Sequence, residues 1–313
     1  NNVEQAFIYS GGSIMPIIDK FYKSSISYIV NSHEQNCGHA ATGYSKSSDK
    51  KCVVLVTSGP GFTNTITPLL DATNDSTPLV IISGQVSKSA IGTNAFQEAP
   101  SVELSKNVTK WSYQVKDISE LNSVINKAYN IAYSGKKGAV HIDIPKCVSS
   151  DIIEIDYDKF QDFFTKKKKI NKQKMINLIV DDKFKKTIEL INNSEKPIIY
   201  LGQGCIDSYE LLREFAIKSN IPVTSTIHGN GIFDEDHQLS LQWCGMHGSP
   251  ASNFALQQAD TIIALGSRFD DRTTGNISKY APKCFEAYQN GTGGIIHVNI
   301  EKSELNKVVN SHY

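Results

Sequence analysis

Short apolar runs rich in β-formers recur along the chain at residues 52–57, 79–83, 139–144, 197–201, 221–225, 260–265 and 294–300, with helical patterns between them. That alternation is the signature of an α/β fold. Runs such as Val53-Val54-Leu55-Val56 and Ile262-Ile263-Ala264-Leu265 are apolar at every position. A strand of this kind must be covered on both faces, as parallel strands are when helices lie on two sides of their sheet. The chain has 313 residues, about two domains' worth on the usual length prior. A hydrophobic content of 40% is enough to give each a core. The expected architecture is two doubly wound, mainly parallel-sheet domains, at residues 1–150 and 177–313. The linker is expected at 151–176, where an acidic and aromatic stretch precedes the run Lys166-Lys167-Lys168-Lys169.

Charge and cysteine usage exclude several classes of function. With 32 basic and 32 acidic residues the net charge is zero, so nothing long-ranged steers the protein toward nucleic acid or an acidic membrane surface. The lysine run then reads as a solvated linker face. Apolar runs are far shorter than a membrane span of about 20 residues. Cys37, Cys52, Cys147, Cys205, Cys244 and Cys284 are scattered, with no CxxC pair and no zinc-like spacing. Reduced thiols in a reducing compartment, cytosol or organellar matrix, are expected. The chain opens on Asn1 with no secretory leader pattern ahead of its first strand, so processing or truncation of an earlier start is expected.

Glu34 opens a helix of small residues, Glu34-Gln35-Asn36-Cys37-Gly38-His39-Ala40-Ala41. An acidic residue there is explained by the helix dipole alone. Its neighbours in order are more informative: Gly11-Gly12-Ser13 before it, Thr57-Ser58-Gly59-Pro60-Gly61-Phe62-Thr63-Asn64 after it, then Gly84-Gln85-Val86. A Gly-Pro-Gly turn after a buried strand brings backbone N–H groups and a helix start close to a ligand. In the second half, Gly202-Gln203-Gly204 follows a strand but lacks the full GxGxxG pattern. Arg268, Asp270, Asp271 and Arg272 follow the strand that ends at Leu265. That is where open α/β sheets hold ligands, although a surface salt-bridge cluster would read the same way.

Taken in order, the segments of the first half, with residues 91–98, Thr109-Lys110-Trp111 and Asp143-Ile144-Pro145-Lys146, resemble the pyrimidine-binding domain of the acetolactate synthase family of thiamine-diphosphate enzymes. Gly245-Met246-His247-Gly248, residues 266–272, Thr274-Gly275-Asn276 and Gly294-Ile295-Ile296-His297 resemble the central FAD domain of the same family. The resemblance implies thiamine diphosphate, Mg2+ and FAD as cofactors. It implies a transferase that decarboxylates pyruvate and joins the two-carbon unit to pyruvate or 2-ketobutyrate, the first common step of isoleucine and valine biosynthesis. A homodimer or homotetramer and a possible regulatory subunit are implied as partners. Residue by residue, the resemblance makes Glu34 the catalytic carboxyl, sharing a proton with the cofactor's pyrimidine ring. Gly12, Ser13, Pro60, Asn64, Phe96, Gln97 and Lys116 would line the thiamine and substrate pocket. Lys106, Gly202, Gly204, Gly245, Met246, His247, Gly248, Gly266, Arg268, Asp270, Asp271, Arg272, Asn299 and Glu301 would hold FAD, with Glu301 on ribose hydroxyls and the flavin in a structural role.

The sequence departs from the family pattern in places. Lys106 stands where an arginine is usual, keeping the charge but losing the planar fork. Ser87 replaces a proline, Ser13 an alanine and Asn94 an aspartate. No Gly-Asp-Gly followed by asparagine is present, so metal and diphosphate ligands are expected on a domain outside this chain. This polypeptide alone is expected to be inactive. Two other readings stand beside the first: another thiamine-diphosphate decarboxylase or carboligase, and a catalytically silent FAD-binding relative. Glu34 argues against glyoxylate carboligase, which lacks that carboxyl.

Overall fold

The computed structural model describes residues 1–22, 24–48, 50–154 and 182–313. Most of the expected linker, including the lysine run, lies outside the described residues. The chain divides into two compact units, Asn1–Lys166 and Lys167–Tyr313.

The first unit is a six-stranded sheet of β1 (Val3–Ile8), β2 (Ser27–Val30), β3 (Lys51–Val56), β4 (Leu79–Gln85), β5 (Trp111–Gln114) and β6 (Ala139–Pro145), in the order β2-β1-β3-β4-β6-β5. Every pairing is parallel. Its helices are α1 (Met15–Phe21), α2 (Glu34–Ser47), α3 (Pro60–Thr63), α4 (Ile66–Asn74), α5 (Ser101–Ser105), α6 (Leu121–Tyr133) and α7 (Lys146–Ser149). Successive strand residues alternate between two cores, as the two-residue period of a strand requires. Val53, Leu55, Val80, Val140 and Ile142 pack on Val124, Ala128 and Ala132 of α6. Val54, Val56, Leu79 and Ile81 pack on Cys37 and Ala41 of α2 and on Leu69 and Ala72 of α4. The seating of α2 on α4 depends on Gly38, where a Cβ would come within 2.4 Å of the Pro68 ring.

The second unit repeats the plan with β7 (Pro197–Leu201), β8 (Val223–Ser225), β9 (Ser240–Trp243), β10 (Thr261–Leu265) and β11 (Gly294–Val298), in the order β11-β10-β7-β8-β9. These pairings too are all parallel. Helices α8 (Asp182–Asn193), α9 (Tyr209–Ser219), α10 (Pro250–Gln258), α11 (Asp271–Thr274) and α12 (Pro282–Gln289) complete it. Local sequence sets their ends. Ser249 caps α10 by accepting the Ser252 N–H at 3.1 Å, with Pro250 in the first turn, where its missing N–H costs nothing. Asn220 closes α9 in the left-handed conformation.

β3, β4, β6, β7, β8, β10 and β11 coincide with the apolar runs of the sequence to within two residues. β1, β2, β5 and β9 were not among those runs. β2, β5 and β9 are edge strands with no fully buried residue, and in β1 the polar pair Glu4-Gln5 interrupts the apolar signal.

β6 carries two polar residues into the core. His141 is fully buried and stacks on Phe62 with ring centroids 4.2 Å apart. Its Nε2 lies 2.9 Å from Ser83 Oγ and its Nδ1 2.8 Å from Ser105 Oγ. Burial lowers its pKa from 6.5 to about 3. The ring is therefore neutral in the fold, whereas the unfolded chain takes up a proton there below about pH 6.5. This contribution to stability is complete above that pH and is lost as pH falls toward 3, at up to about 1.4 kcal/mol per pH unit. Asp143, whose carboxyl burial pushes upward, acts in the opposite sense at the acid end of this range. Urea unfolding of the first unit is expected to need less denaturant at pH 5 than at pH 7; an unchanged midpoint would contradict a buried neutral ring.

Candidate active site

In the first sheet β1 lies between β2 and β3, so the chain leaves β1 toward one edge and returns to build the other. The carboxyl ends of β1 and β3 therefore flank a topological switch point, where open α/β sheets form a crevice. The two turns at this point are locked together. A Cβ on Gly11 would fall 2.4 Å from Thr57 Cβ, and one on Gly84, at the end of β4, 2.4 Å from Ser13 Oγ. Ser13 is buried; its hydroxyl lies 2.9 Å from Thr57 Oγ1 and accepts the Ser58 N–H at 2.9 Å. Gly12, by contrast, faces open space, with nothing within 4 Å of where its Cβ would be.

Glu34 is the first residue of α2, with His33 as its cap. Its side chain is 7% exposed. Asn64, at the end of α3, donates from Nδ2 to Glu34 Oε2 at 3.0 Å, which leaves Oε1 facing Gly61, 3.5 Å from where a Cβ there would stand. Pro60 opens α3, and Gly59 before it has φ +57°. Gln97 crosses directly over that glycine, its carbonyl oxygen 2.7 Å from where a Cβ would be. Gln97 itself has φ +60°, and the neighbouring Phe96 ring is exposed. A buried carboxyl at a helix start, held by one amide and bordered by glycines, is suited to holding a proton against a nitrogen heterocycle. The residues present therefore fit the pyrimidine of thiamine diphosphate.

The second sheet has its own switch point between β7 and β10. The Gly202 N–H donates to Leu265 O at 2.8 Å, the Gly204 N–H to Gly266 O at 3.1 Å, and the Gly266 N–H to Val298 O at 2.9 Å. Three neighbouring strand ends are thereby stitched backbone to backbone. A Cβ on Gly202 would lie 2.4 Å from Gly266 O and one on Gly204 2.8 Å from Gly266 Cα. Asn299 donates from Nδ2 to Ser267 O at 2.8 Å and accepts the Glu301 N–H at 2.9 Å. On the facing side, the Met246 N–H donates to Arg272 O at 2.7 Å, and Asn253 clasps both backbone groups of Gly245. His247 is exposed and Gly248 half-buried, the latter bonded to Gly245 O. Arg268 is half-buried and Arg272 exposed. Two guanidinium groups beside glycine turns at a switch point suit an anionic dinucleotide, so this crevice fits FAD. Among the described residues, no group of three or more His, Cys, Asp or Glu could hold a metal ion.

Comparison with known proteins matches both units to one family. Residues 1–104 match the thiamine pyrophosphate enzyme N-terminal TPP-binding domain, and residues 184–313 match the thiamine pyrophosphate enzyme central domain. The chain belongs to the thiamine pyrophosphate enzyme family. It is 44% identical over 312 residues to the mitochondrial acetolactate synthase catalytic subunit of Saccharomyces cerevisiae, covering 98% of this chain and 45% of that protein. It is 44% identical over 316 residues to the mitochondrial acetolactate synthase of Schizosaccharomyces pombe, covering 99% and 47%. With chloroplastic acetolactate synthase 2 of Nicotiana tabacum the identity is 37% over 314 residues, covering 99% and 45%. The chain spans about half the length of the curated relatives it matches.

The structure gathers Gly12, Ser13, Glu34, Pro60, Asn64 and Gln97 at the first crevice. Lys116 falls elsewhere. It follows β5 at the far edge of the sheet, and its carbonyl accepts from Lys88 Nζ while its N–H donates to Glu120. Lys106 is exposed at the end of α5 in the first unit. Asp270 uses its carboxylate to cap α11, accepting the Arg272 N–H at 3.0 Å and the Thr273 N–H at 3.2 Å, whereas Asp271 is exposed and 3.9 Å from Arg272. Glu301 Oε1 accepts from the Ser303 N–H and hydroxyl. Residues without an assigned role in the sequence, Ser83, Gln85, His141 and Asp143, form a buried network beneath the first crevice. Gln85 and Asp143 lay within motifs that carry the resemblance but had no role of their own, and Ser83 and His141 were marked only as polar side chains inside otherwise apolar strands.

Gly266 combines φ +61° with backbone contact to Gly204. Gly266→Ala is expected to destabilise the second unit by about 1–3 kcal/mol, read by urea unfolding. Unchanged stability would mean that these strand ends are not in contact.

Proposed function

We propose that this chain supplies the thiamine-binding and FAD-binding domains of an acetolactate synthase, at residues 1–150 and 177–313. The enzyme decarboxylates pyruvate and joins the two-carbon unit to a second 2-keto acid, pyruvate or 2-ketobutyrate. The observation that carries this reading is Glu34, buried at the start of α2, oriented by Asn64 and bordering the crevice between β1 and β3. The 36–44% identity to acetolactate synthases over nearly the whole chain supports it over other thiamine enzymes.

When bound, thiamine diphosphate supplies the electron sink for loss of CO2 from a 2-keto acid. Glu34 would be the carboxyl that exchanges a proton with the pyrimidine ring through Oε1, with Asn64 holding the other oxygen. Gly12 leaves room for the ligand, and Ser13, tied to Thr57 and Ser58, keeps the two turns at a fixed separation. The backbone at Gln97 crosses the Gly59 turn, and Phe96 beside it would present its exposed ring to the ligand. In the second unit the turns at Gly202, Gly204 and Gly266 would receive the FAD diphosphate, with Arg268 and Arg272 to oppose its charge and residues 245–248 and Asn299 to border it. FAD serves a structural role there. Magnesium accompanies the thiamine diphosphate, and no residue of this chain is assigned to it. The active form is a homodimer or homotetramer in an organellar matrix, with a regulatory subunit as a further partner.

Glu34→Gln in the complete enzyme is expected to lower thiamine-dependent acetolactate formation by about 10²–10⁴-fold while leaving bound FAD unchanged. Near-wild-type turnover in that variant would remove Glu34 from the chemistry.

A further inference from the structure

Beneath the first crevice lies a polar row on an otherwise apolar sheet. Ser83, Asp143 and Gln114 are direct neighbours on β4, β6 and β5, so their side chains share one face, and Gln85, two residues beyond Ser83, shares it too. Asp143 is fully buried and accepts three bonds: from Ser83 Oγ at 2.7 Å, Gln114 Nε2 at 2.8 Å and Gln85 Nε2 at 3.2 Å. Gln85, 1% exposed, uses the same amide nitrogen to reach the Ala99 carbonyl at 2.9 Å, while its Oε1 accepts the Val86 N–H at 2.9 Å.

An ionised carboxylate can only accept hydrogen bonds, so it dictates which end of the Gln85 amide faces it. With the amide held that way, a donor meets Ala99 O; with the amide reversed, two acceptors would face each other. Ala99 ends the loop whose Gln97 lies over Gly59. Glu98 closes that loop on itself, accepting the N–H groups of Gly92 and Ala95, so residues 92–98 are tied to one another and to the anchor at Ala99. We infer that Asp143 is a positioning residue: acting through Gln85, it seats the loop bearing Phe96 and Gln97 over the Gly59 turn. The consequence for catalysis rests on the reading of that crevice as the thiamine site.

The test is amide hydrogen exchange on the complete polypeptide, comparing the wild type with Gln85→Met, Asp143→Asn and Ser83→Ala. Gln85→Met keeps the side-chain volume and removes the bond to Ala99, and Ser83→Ala removes a bond to the same carboxylate without touching that link. Amides of residues 92–98 are expected to exchange about tenfold faster in Gln85→Met and Asp143→Asn, with those of β1, β3 and α2 unchanged and the loop unchanged in Ser83→Ala. If Asp143→Asn does not fold, Gln85→Met decides alone. Loop exchange at the wild-type rate in Gln85→Met overturns the inference, as does equal acceleration in Ser83→Ala or across the whole sheet. In the holoenzyme, Gln85→Met is expected to lower kcat/KM for pyruvate by about the same factor while thiamine diphosphate affinity is retained. A wild-type enzyme forming no acetolactate would sink the proposed function and leave the exchange result to judge the positioning role.

Discussion

Backbone contact between strand-end turns governs both crevices. In a parallel sheet the chain must leave each strand at the same end, so neighbouring turns compete for the same space. Here the competition is resolved by glycine: Gly11 against Thr57 and Gly84 against Ser13 in the first unit, Gly202 and Gly204 against Gly266 in the second. A side chain at any of these positions would push the turns apart, and the crevice geometry would change with them. Glu34, Asn64, Arg268 and Arg272 acquire their places from that packing.

The two crevices use the same topology for different chemistry. At the first, one buried carboxyl is presented with a single side-chain donor, Asn64, and little else polar beside it. At the second, carboxylates serve the backbone: Asp270 caps α11 and Glu301 caps the turn after it, while guanidinium groups carry the local charge. A proton-holding site needs the first arrangement, and a site for a diphosphate-bearing ligand needs the second. Beneath the first crevice, Ser105, His141, Ser83 and Asp143 form a continuous buried chain of hydrogen bonds. Such a chain ties α5 to the sheet with a directionality that apolar packing lacks.

What could be read from the sequence follows from how locally each feature is encoded. β3, β4, β6, β7, β10 and β11 were legible because strands buried on both faces are continuously apolar. β2, β5 and β9 were not, because none of the three carries a fully buried residue, whereas β11, also an edge strand, is buried over its first four residues. The glycine turns and Glu34 were legible as an ordered set of motifs, although Glu34 alone reads as an ordinary helix start. Strand order is not written locally, so the position of Lys116 after the edge strand β5 could not be read from the sequence, where its place at the pocket was implied by the resemblance alone. The capping roles of Asp270 and Glu301 were hidden because the same residues in the same order suit a ligand contact equally well. The buried network joins residues 36 to 60 positions apart, a separation at which no pattern in the sequence pairs them.

We propose that the crevice between β1 and β3 receives the pyrimidine of thiamine diphosphate at Glu34. A crystal structure of the complete protein with thiamine diphosphate tests this most directly. A pyrimidine ring nitrogen is expected about 2.6–3.2 Å from a Glu34 carboxyl oxygen, with the ring beside Gly12 and the turn at residues 57–60. A cofactor bound with its pyrimidine elsewhere, and Glu34 bonded to Asn64 alone, would contradict it.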